Sequence, residues 1–350
     1  MADNTSLHSS SLPSAQTDDD PVLRVRGPAD LINVVPYLIG FHPVESLVVV
    51  GLAEGRVVVT IRMDLDNLAD PAPLHEAVAS MRRGGAESFL GMVFTLRPPA
   101  YGFPHWEAVA ELDSAVATVS APLQDVLLVG PERFWSYLCT DPTCCPPDGT
   151  ERDHGDSGVA AAATYAGLVA LPDRESLYRL LDPLPDEQRG ALRPALEAAV
   201  EEEITAIAQA AQQRRNRSVV RALFAAARAA DAGTLPNDPA QLARFGAALR
   251  GIEVRDALWM GIDDGRLDGE ALWRHLARTL PSPFDAAPLF LLGWGSWRSG
   301  SGALAGIAAE RALESDPSYT AAELLLGAVS GAVDPRSVPK LRRPARRCDR

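Results

Sequence analysis

The sequence predicts an α/β region with a mixed sheet and flanking helices, followed by an all-helical region that is partly tetratricopeptide-like. Three observations carry this. Apolar, β-branched runs of strand length alternate with helix-period stretches up to about residue 138. From about residue 157 the strand signal is gone and Ala-rich, Leu-spaced segments take over. Late in the chain a spacing of 34 residues recurs.

Taken in order, residues 1–20 are rich in Ser, Asp and Thr and read as a disordered leader without the basic start or apolar run of a signal peptide. The stretch "GPADLINVVPYLIGFHP" predicts a short apolar helix, with Pro28 in its first turn and Pro36 bending or ending it. The runs "SLVVVGL" and "RVVVTIRMDL" are separated by Ala-Glu-Gly, a hairpin-sized gap. A helix around 73–83, a buried strand "ESFLGMVFTL", a helix over 104–119 and a strand "DVLLVG" follow. A further strand, "RFWSYL", is expected to pair back across Gly130 and Pro131. Hairpin, helix, strand, helix, strand is the rhythm of an α/β sandwich, here expected to have a largely parallel centre.

The seam is placed in "PPDGTERDHGDSG", whose Pro, Gly and Asp content is that of a linker. The α/β domain is thus expected over 21–156 and the helical domain over 157–335. Tetratricopeptide-like pairs are expected from about residue 252, and a basic tail over 336–350. That tail sets seven cations against Asp349, a net of +6, which leaves −19 on the rest of a chain whose formal net charge is −13.

A hydrophobic content of 47% excludes wholesale disorder, and only 6% aromatics leaves Ala, Val and Leu to fill the core. The acidic body has no basic stripe, so no nucleic-acid partner is expected for it. No apolar window approaches the roughly 18 residues of a membrane span, so no membrane partner is expected and the reading is cytoplasmic. There is no GxGxxG, P-loop, H-E-x-x-H or Ser-His-Asp order, and His75, His105 and His275 stand alone.

"PLFLLG" ends at Gly293 and "AELLLG" at Gly327, 34 residues later. Gly293 and Ala305 would let paired helices approach closely, Ala312 would seat the second helix, and Pro317 would stop it. Ser296 and Ala309 depart from the usual large residues of such repeats. By analogy with repeats of this kind, Met260, Phe290, Trp294, Trp297 and Arg298 would line a groove for a protein partner; the alternative is that the rings are core.

"WSYLCTDPTCCPPDG" holds Cys139, Cys144 and Cys145, three of the four cysteines in the chain. Three readings stand. The thiols could hold zinc with His154 as fourth ligand, Asp141 being a poorer one. They could include a reactive thiol activated by a nearby cation such as Arg133 or Arg152. They could be small apolar fillers in a loop stiffened by Pro142, Pro146 and Pro147. His42, in "GFHPVES", is either a ligand or base, or a hydrogen-bonded turn residue. Arg62 and Asp64 share one face at a strand end, where α/β sheets place ligands, or they form a surface pair.

On "VPYLIGFHPVESLVVVGL", "WSYLCTDPTCCPPDG" and "LPDRESLYRLL", the chain resembles an actinobacterial family, domain of unknown function 4192, from about residue 23 to residue 330. The resemblance implies a cytoplasmic protein and marks the "GFHP" turn and the cysteine loop as family hallmarks. It supplies no activity, cofactor or catalytic residue. The functional expectation is a binding or regulatory module acting through a protein partner. The alternative is an enzyme or zinc protein whose site gathers His42, Arg62, Asp64 and the cysteine loop on one edge of the sheet.

Overall fold

A computed structural model describes residues 27–97, 99, 102–152, 158–165 and 168–341. The leader, His154, Cys348 and the basic tail from residue 342 lie outside the described residues. The chain forms two compact units. The first runs to Leu177 and takes in Ser330–Ser337; the second is Tyr178–Val329 and continues from Val338. The sequence places the seam near residue 157, whereas the two units divide after Leu177, inside a helix.

The first unit opens with α1 (Pro28–Ile39). Pro36 does not end this helix, which runs on to a left-handed Gly40. Then come β1 (Ser46–Ala53), β2 (Arg56–Asp64), α2 (Ala72–Arg83) and β3 (Ser88–Phe94). They are followed by α3 (Trp106–Thr118), β4 (Leu123–Val129), β5 (Arg133–Ser136), β6 (Thr150–Glu151) and α4 (Gly158–Tyr165). The β1–β2 turn places both Glu54 and Gly55 at positive φ, the geometry that matches strand twist in a tight hairpin.

The six strands lie in the order β2-β1-β3-β4-β5-β6. Only β3 and β4 pair in parallel; β1 is antiparallel to both β2 and β3, and β5 is antiparallel to β4 and β6. The expectation of a largely parallel centre is corrected by this order. The reason is that α2 carries the chain from β2 past β1, so β2 and β3 run the same way with β1 wedged between them. The next crossover, through α3, delivers the one parallel pair.

Alternate residues of the central strands face α2 and α3. Leu47, Val49, Phe89, Val93, Val126 and Leu128 meet Leu74, Val78, Met81, Leu112 and Val116 in one buried cluster. Val48, Val50, Met92 and Leu127 on the opposite pleat are also buried, so the continuous apolar runs of these strands have both faces covered.

The second unit is helical: α5 (Arg174–Leu180) spans the division, then α6 (Asp186–Gly190), α7 (Arg193–Ala208), α8 (Gln212–Asp231) and α9 (Pro239–Leu249). The last five are α10 (Ile252–Asp263), α11 (Glu270–Thr279), α12 (Ala286–Arg298), α13 (Gly302–Ser315) and α14 (Thr320–Ser330). α12 and α13 pack closely because Gly293 has no side chain. A Cβ there would lie 2.9 Å from Leu325 Cδ2, 3.2 Å from the Ala305 carbonyl oxygen and 3.2 Å from Ala308 Cβ. Ala305 and Ala312 are fully buried, and the chain leaves α13 just before Pro317. No helix among the described residues is long and apolar enough to cross a membrane.

Candidate functional site

At the end of the sheet where β3 and β4 finish, the "GFHP" turn brings polar groups together. His42 donates its amide to the Leu171 carbonyl, a 2.9 Å bond beside the Phe41–Leu171 bridge. Ser46 opens β1 opposite Asp64 and Phe94. Arg62 donates from Nε to Ser46 Oγ at 2.9 Å and from Nη2 to Asp64 Oδ1 at 2.5 Å. Its guanidinium lies 5.7 Å from the centroid of the Phe41 ring. Arg62 and Asp64 therefore share a face, as expected, and satisfy each other.

Beside them sits a group that nothing in the sequence marks as a site. Glu45, at positive φ, accepts from Thr95 Oγ1 and from the Leu96 amide, both at 2.9 Å, while His105 Nε2 lies 3.9 Å from its other oxygen. Partial burial would raise the Glu45 carboxyl. The Leu96 and Thr95 donors, with the charges of His105 and Arg97, outweigh it and hold the group below its ordinary range. His42 lies at the surface, and partial desolvation with the nearby charge of Arg152 holds its imidazole below the usual value. Arg152 itself binds the carbonyls of Gly130 and Pro131 at 2.7 and 3.3 Å.

The cysteine loop joins β5 to β6. Ser136, the last residue of β5, donates from Oγ to Asp125 Oδ1 at 2.6 Å and accepts the Cys139 amide at 2.8 Å. The amides of Cys144 and Cys145 converge on the Asp141 carbonyl at 3.2 and 2.7 Å. Asp141 is in turn fixed through Oδ1 by the amide and hydroxyl of Thr143. The far end of the loop is clamped by Trp135, whose Nε1 donates to the Pro147 carbonyl at 3.1 Å. The same ring covers Gly149, where φ is 77° and a Cβ would lie 2.4 Å from Trp135 Cε2. Only glycine fits that place.

The result is three sulfur atoms within 4.8 Å of one another. Cys144 is exposed, and Cys139 and Cys145 are half-buried. Burial and the two neighbouring thiols push the Cys145 thiol up to about 12. A nucleophilic thiol needs the opposite shift. The exposure of Cys144 sets it apart from a filler, because a cysteine that replaces a small hydrophobe belongs in the core. The single gathered site expected from His42, Arg62, Asp64 and the cysteines does not form. Arg62 and Asp64 are on β2, one edge of the sheet, and the cysteines follow β5 near the other. Four strand steps separate β2 from β5, roughly 19 Å at about 4.8 Å per step.

In the helical unit the expected groove residues divide. Phe290, Trp294 and Trp297 are 0%, 7% and 3% exposed, so their rings are core and do not floor an open groove; Met260 is half-buried. Trp259, Phe290, Trp294 and Trp297 form a chain of ring contacts, edge-on from Trp259 to Phe290 and to Trp294 (4.7 Å) and tilted from Trp294 to Trp297 (5.1 Å). This large apolar mass explains why aromatics at helical spacing point inward. Arg298 caps the mass, 4.8 Å from the Trp294 centroid and 5.6 Å from that of Trp297.

From this position Arg298 reaches a buried acid. Asp263, the last residue of α10, accepts at Oδ1 from Trp294 Nε1 at 2.8 Å and from Arg298 Nε at 2.9 Å. Its other oxygen takes the Leu341 amide at 2.7 Å. Arg298 also donates from Nη1 to the Val338 carbonyl at 3.0 Å and from Nη2 to the Pro339 carbonyl at 3.4 Å. The pair is a clasp on the main chain of Val338–Leu341.

The model of a family described as Domain of unknown function (DUF4192) matches residues 28–336. The chain belongs to this family. Comparison with curated proteins finds no match, and comparison with solved structures finds none. The DUF4192 span contains the "GFHP" turn, the cysteine loop, Asp263 and Arg298, and it stops short of the clasped Val338–Leu341 segment.

The sequence of this DUF4192 chain singles out Arg298, as a candidate groove residue, and does not single out Asp263. Nothing in "MGIDDG" marks one of two adjacent aspartates as buried. Its burial follows from a tryptophan and an arginine that lie 31 and 35 residues away.

Proposed function

We propose that the protein is a binding and regulatory module whose helical unit holds an extended peptide on the Asp263–Arg298 clasp. In this reading a segment of a protein partner competes there with the chain's own Val338–Leu341. The observation that supports it is the contact pattern. Asp263 takes an amide and Arg298 takes two carbonyls, so the clasp engages main-chain groups that every peptide offers. Main-chain hydrogen bonds are how several recognition modules gain affinity, with side-chain pockets adding selectivity.

Other features point the same way. The Trp294 and Trp297 rings lie against the guanidinium and would hold it in place before any peptide arrives, which lowers the ordering cost of binding. Asp263 and Arg298 lie inside the family span while their present occupant lies outside it. The close α12–α13 approach at Gly293 agrees with tetratricopeptide-like pairing, an architecture built to present such surfaces. The occupant, Val338–Leu341, opens the sequence "VPKLRRPARR", which indicates the partner chemistry: a proline-containing basic segment attracted by an acidic body. The enzyme reading is weaker, because Arg62 is bonded to Ser46 and Asp64, and Glu45 to Thr95.

Removal of residues 338–350 tests this, with a synthetic peptide of those residues as the probe. The truncated chain should bind the peptide one to one, with a change in tryptophan fluorescence. The full chain should bind it far more weakly, and a truncated Asp263→Asn variant should lose it. A truncated chain that keeps its helical circular dichroism and melting transition but ignores the peptide would overturn the proposal.

A further inference from the structure

The cysteine loop carries an independent inference. We propose that Cys139, Cys144 and Cys145 form a binding site for a soft divalent metal ion, Zn(II) by preference, as three thiolate ligands. The geometry is the first ground. In a tetrahedral site with zinc–sulfur bonds of about 2.3 Å the sulfurs stand about 3.8 Å apart. The three sulfurs here already lie within 4.8 Å, so closure asks for small side-chain rotations and leaves the backbone alone.

The second ground is how the loop is built. Adjacent cysteines reach one ion only if the chain turns tightly under them. Here the Cys144 and Cys145 amides both bond the Asp141 carbonyl, which makes that turn. Cys139 comes from the other side, its amide fixed by a Ser136 hydroxyl that is itself held by Asp125. Trp135 and Gly149 close the loop behind them. Such fixed supports around ligand-bearing residues are what metal sites use to hold geometry.

The third ground is elimination by exposure. Fillers should be buried, and Cys144 is at the surface with two half-buried thiols beside it. Thiolate sulfur selects zinc, copper(I) and iron–sulfur clusters over hard cations such as magnesium or calcium. Zinc is named first because it needs no redox partner. On binding, three S–H bonds break, three zinc–sulfur bonds form, and three protons leave to solvent, giving a site of net charge −1. Three protein ligands leave a fourth position for a water molecule or a further side chain.

The test uses the full-length chain in a Cys348→Ser background, stripped of metal and kept reduced, with its loop thiols counted by a thiol reagent. Titration with Co(II) should give one equivalent per chain and a near-ultraviolet sulfur-to-cobalt band of three-thiolate intensity. Zn(II) should displace the cobalt. Loss of an outer support alone costs a metal site roughly 10–100-fold in affinity. Cys139→Ser, Cys144→Ser and Cys145→Ser should therefore each weaken Zn(II) binding by at least about tenfold. Cys144→Ser is the safest variant, because an exposed residue can change without unfolding the chain. Fully reduced protein that takes up no Co(II) would overturn the proposal. So would serine variants that melt like the parent and bind Zn(II) as tightly.

Discussion

Asp263, at the end of α10, and the cysteine loop both carry polar clusters, and the two are completed differently. Around Asp263 both carboxylate oxygens have donors and the residue is 3% exposed. In the loop the amides of all three cysteines are engaged, but the sulfurs face mainly one another and reach the surface at Cys144. The first cluster is finished by the chain's own C-terminal segment. The second has a fixed frame around atoms with no strong partner. A buried polar group without its partners costs free energy, so the fold completes such groups wherever it can. Reactive capacity is therefore sought where the frame is rigid and the terminal atoms remain available.

Breaking the finished cluster should give the largest effect. Asp263→Ala removes the buried carboxylate that accepts from Arg298 Nε and Trp294 Nε1 and that balances the guanidinium beside the aromatic core. Loss of one partner from a buried ion pair costs about 3–5 kcal/mol. Urea unfolding should show a loss of that order, and the Val338–Leu341 segment should become sensitive to proteases. If stability stays within about 0.5 kcal/mol, as for an ordinary surface change, the clasp is not the closed cluster described.

Gly149→Ala should come next. A Cβ placed 2.4 Å from Trp135 Cε2, at a φ of 77°, forces the ring or the loop to move. Overpacking of this kind costs about 1–3 kcal/mol, and Co(II) uptake by the loop should fall with it. By contrast, Cys144→Ser in the metal-free protein should change stability by less than about 0.5 kcal/mol, since the residue is exposed. That contrast sharpens the comparison: in the loop the frame is expected to carry stability and the thiols the proposed metal binding.

Much of the first unit was legible in its sequence because strand pattern and helix period are local signals. The β1–β2 hairpin, the buried β3 and the β4–β5 return all follow from runs of Val, Leu and Phe with turn residues between them. Strand order is not local, and the wedging of β1 between β2 and β3 appears nowhere in the periodicity. The same limit governs the sites. Cys139, Cys144 and Cys145 were visible because they are close in sequence. Arg62 and Asp64 were visible for the same reason. Glu45 with Thr95, 50 residues apart, and Asp263 with Leu341, 78 residues apart, are made by tertiary packing. For Trp294 and Trp297 the sequence leaves groove and core both open, because a helical spacing has no sign: it does not say which side is buried, and the structure puts both rings in the core.

A smaller effect is expected at the sheet end. Arg62→Met keeps the stem over Phe41 but removes the bonds to Ser46 and Asp64. The loss should be roughly 1–2 kcal/mol, typical of a hydrogen bond to a charged group at a partly buried site. Metal uptake by the loop should not change, because Arg62 lies on the far edge strand. A parallel loss of Co(II) binding would mean that the two edges act as one site after all.

The smallest effect is a pH slope. The Glu45 carboxyl is held below its ordinary range by the Leu96 amide, the Thr95 hydroxyl and the charges of His105 and Arg97, against the opposing pull of burial. A carboxyl whose folded pKa is depressed binds fewer protons in the native state than in the unfolded one. Its stabilising contribution is complete above the unfolded glutamate value, about 4.3. It is lost as pH falls from there through the depressed folded value. Glu45→Gln keeps an acceptor for the Leu96 amide but cannot titrate. The stability difference between the native chain and this variant should be constant above about pH 5.5 and shrink steadily below about pH 4.5. A difference that stays flat down to pH 3 would show that the carboxylate at this sheet end is no better held than one in free solution.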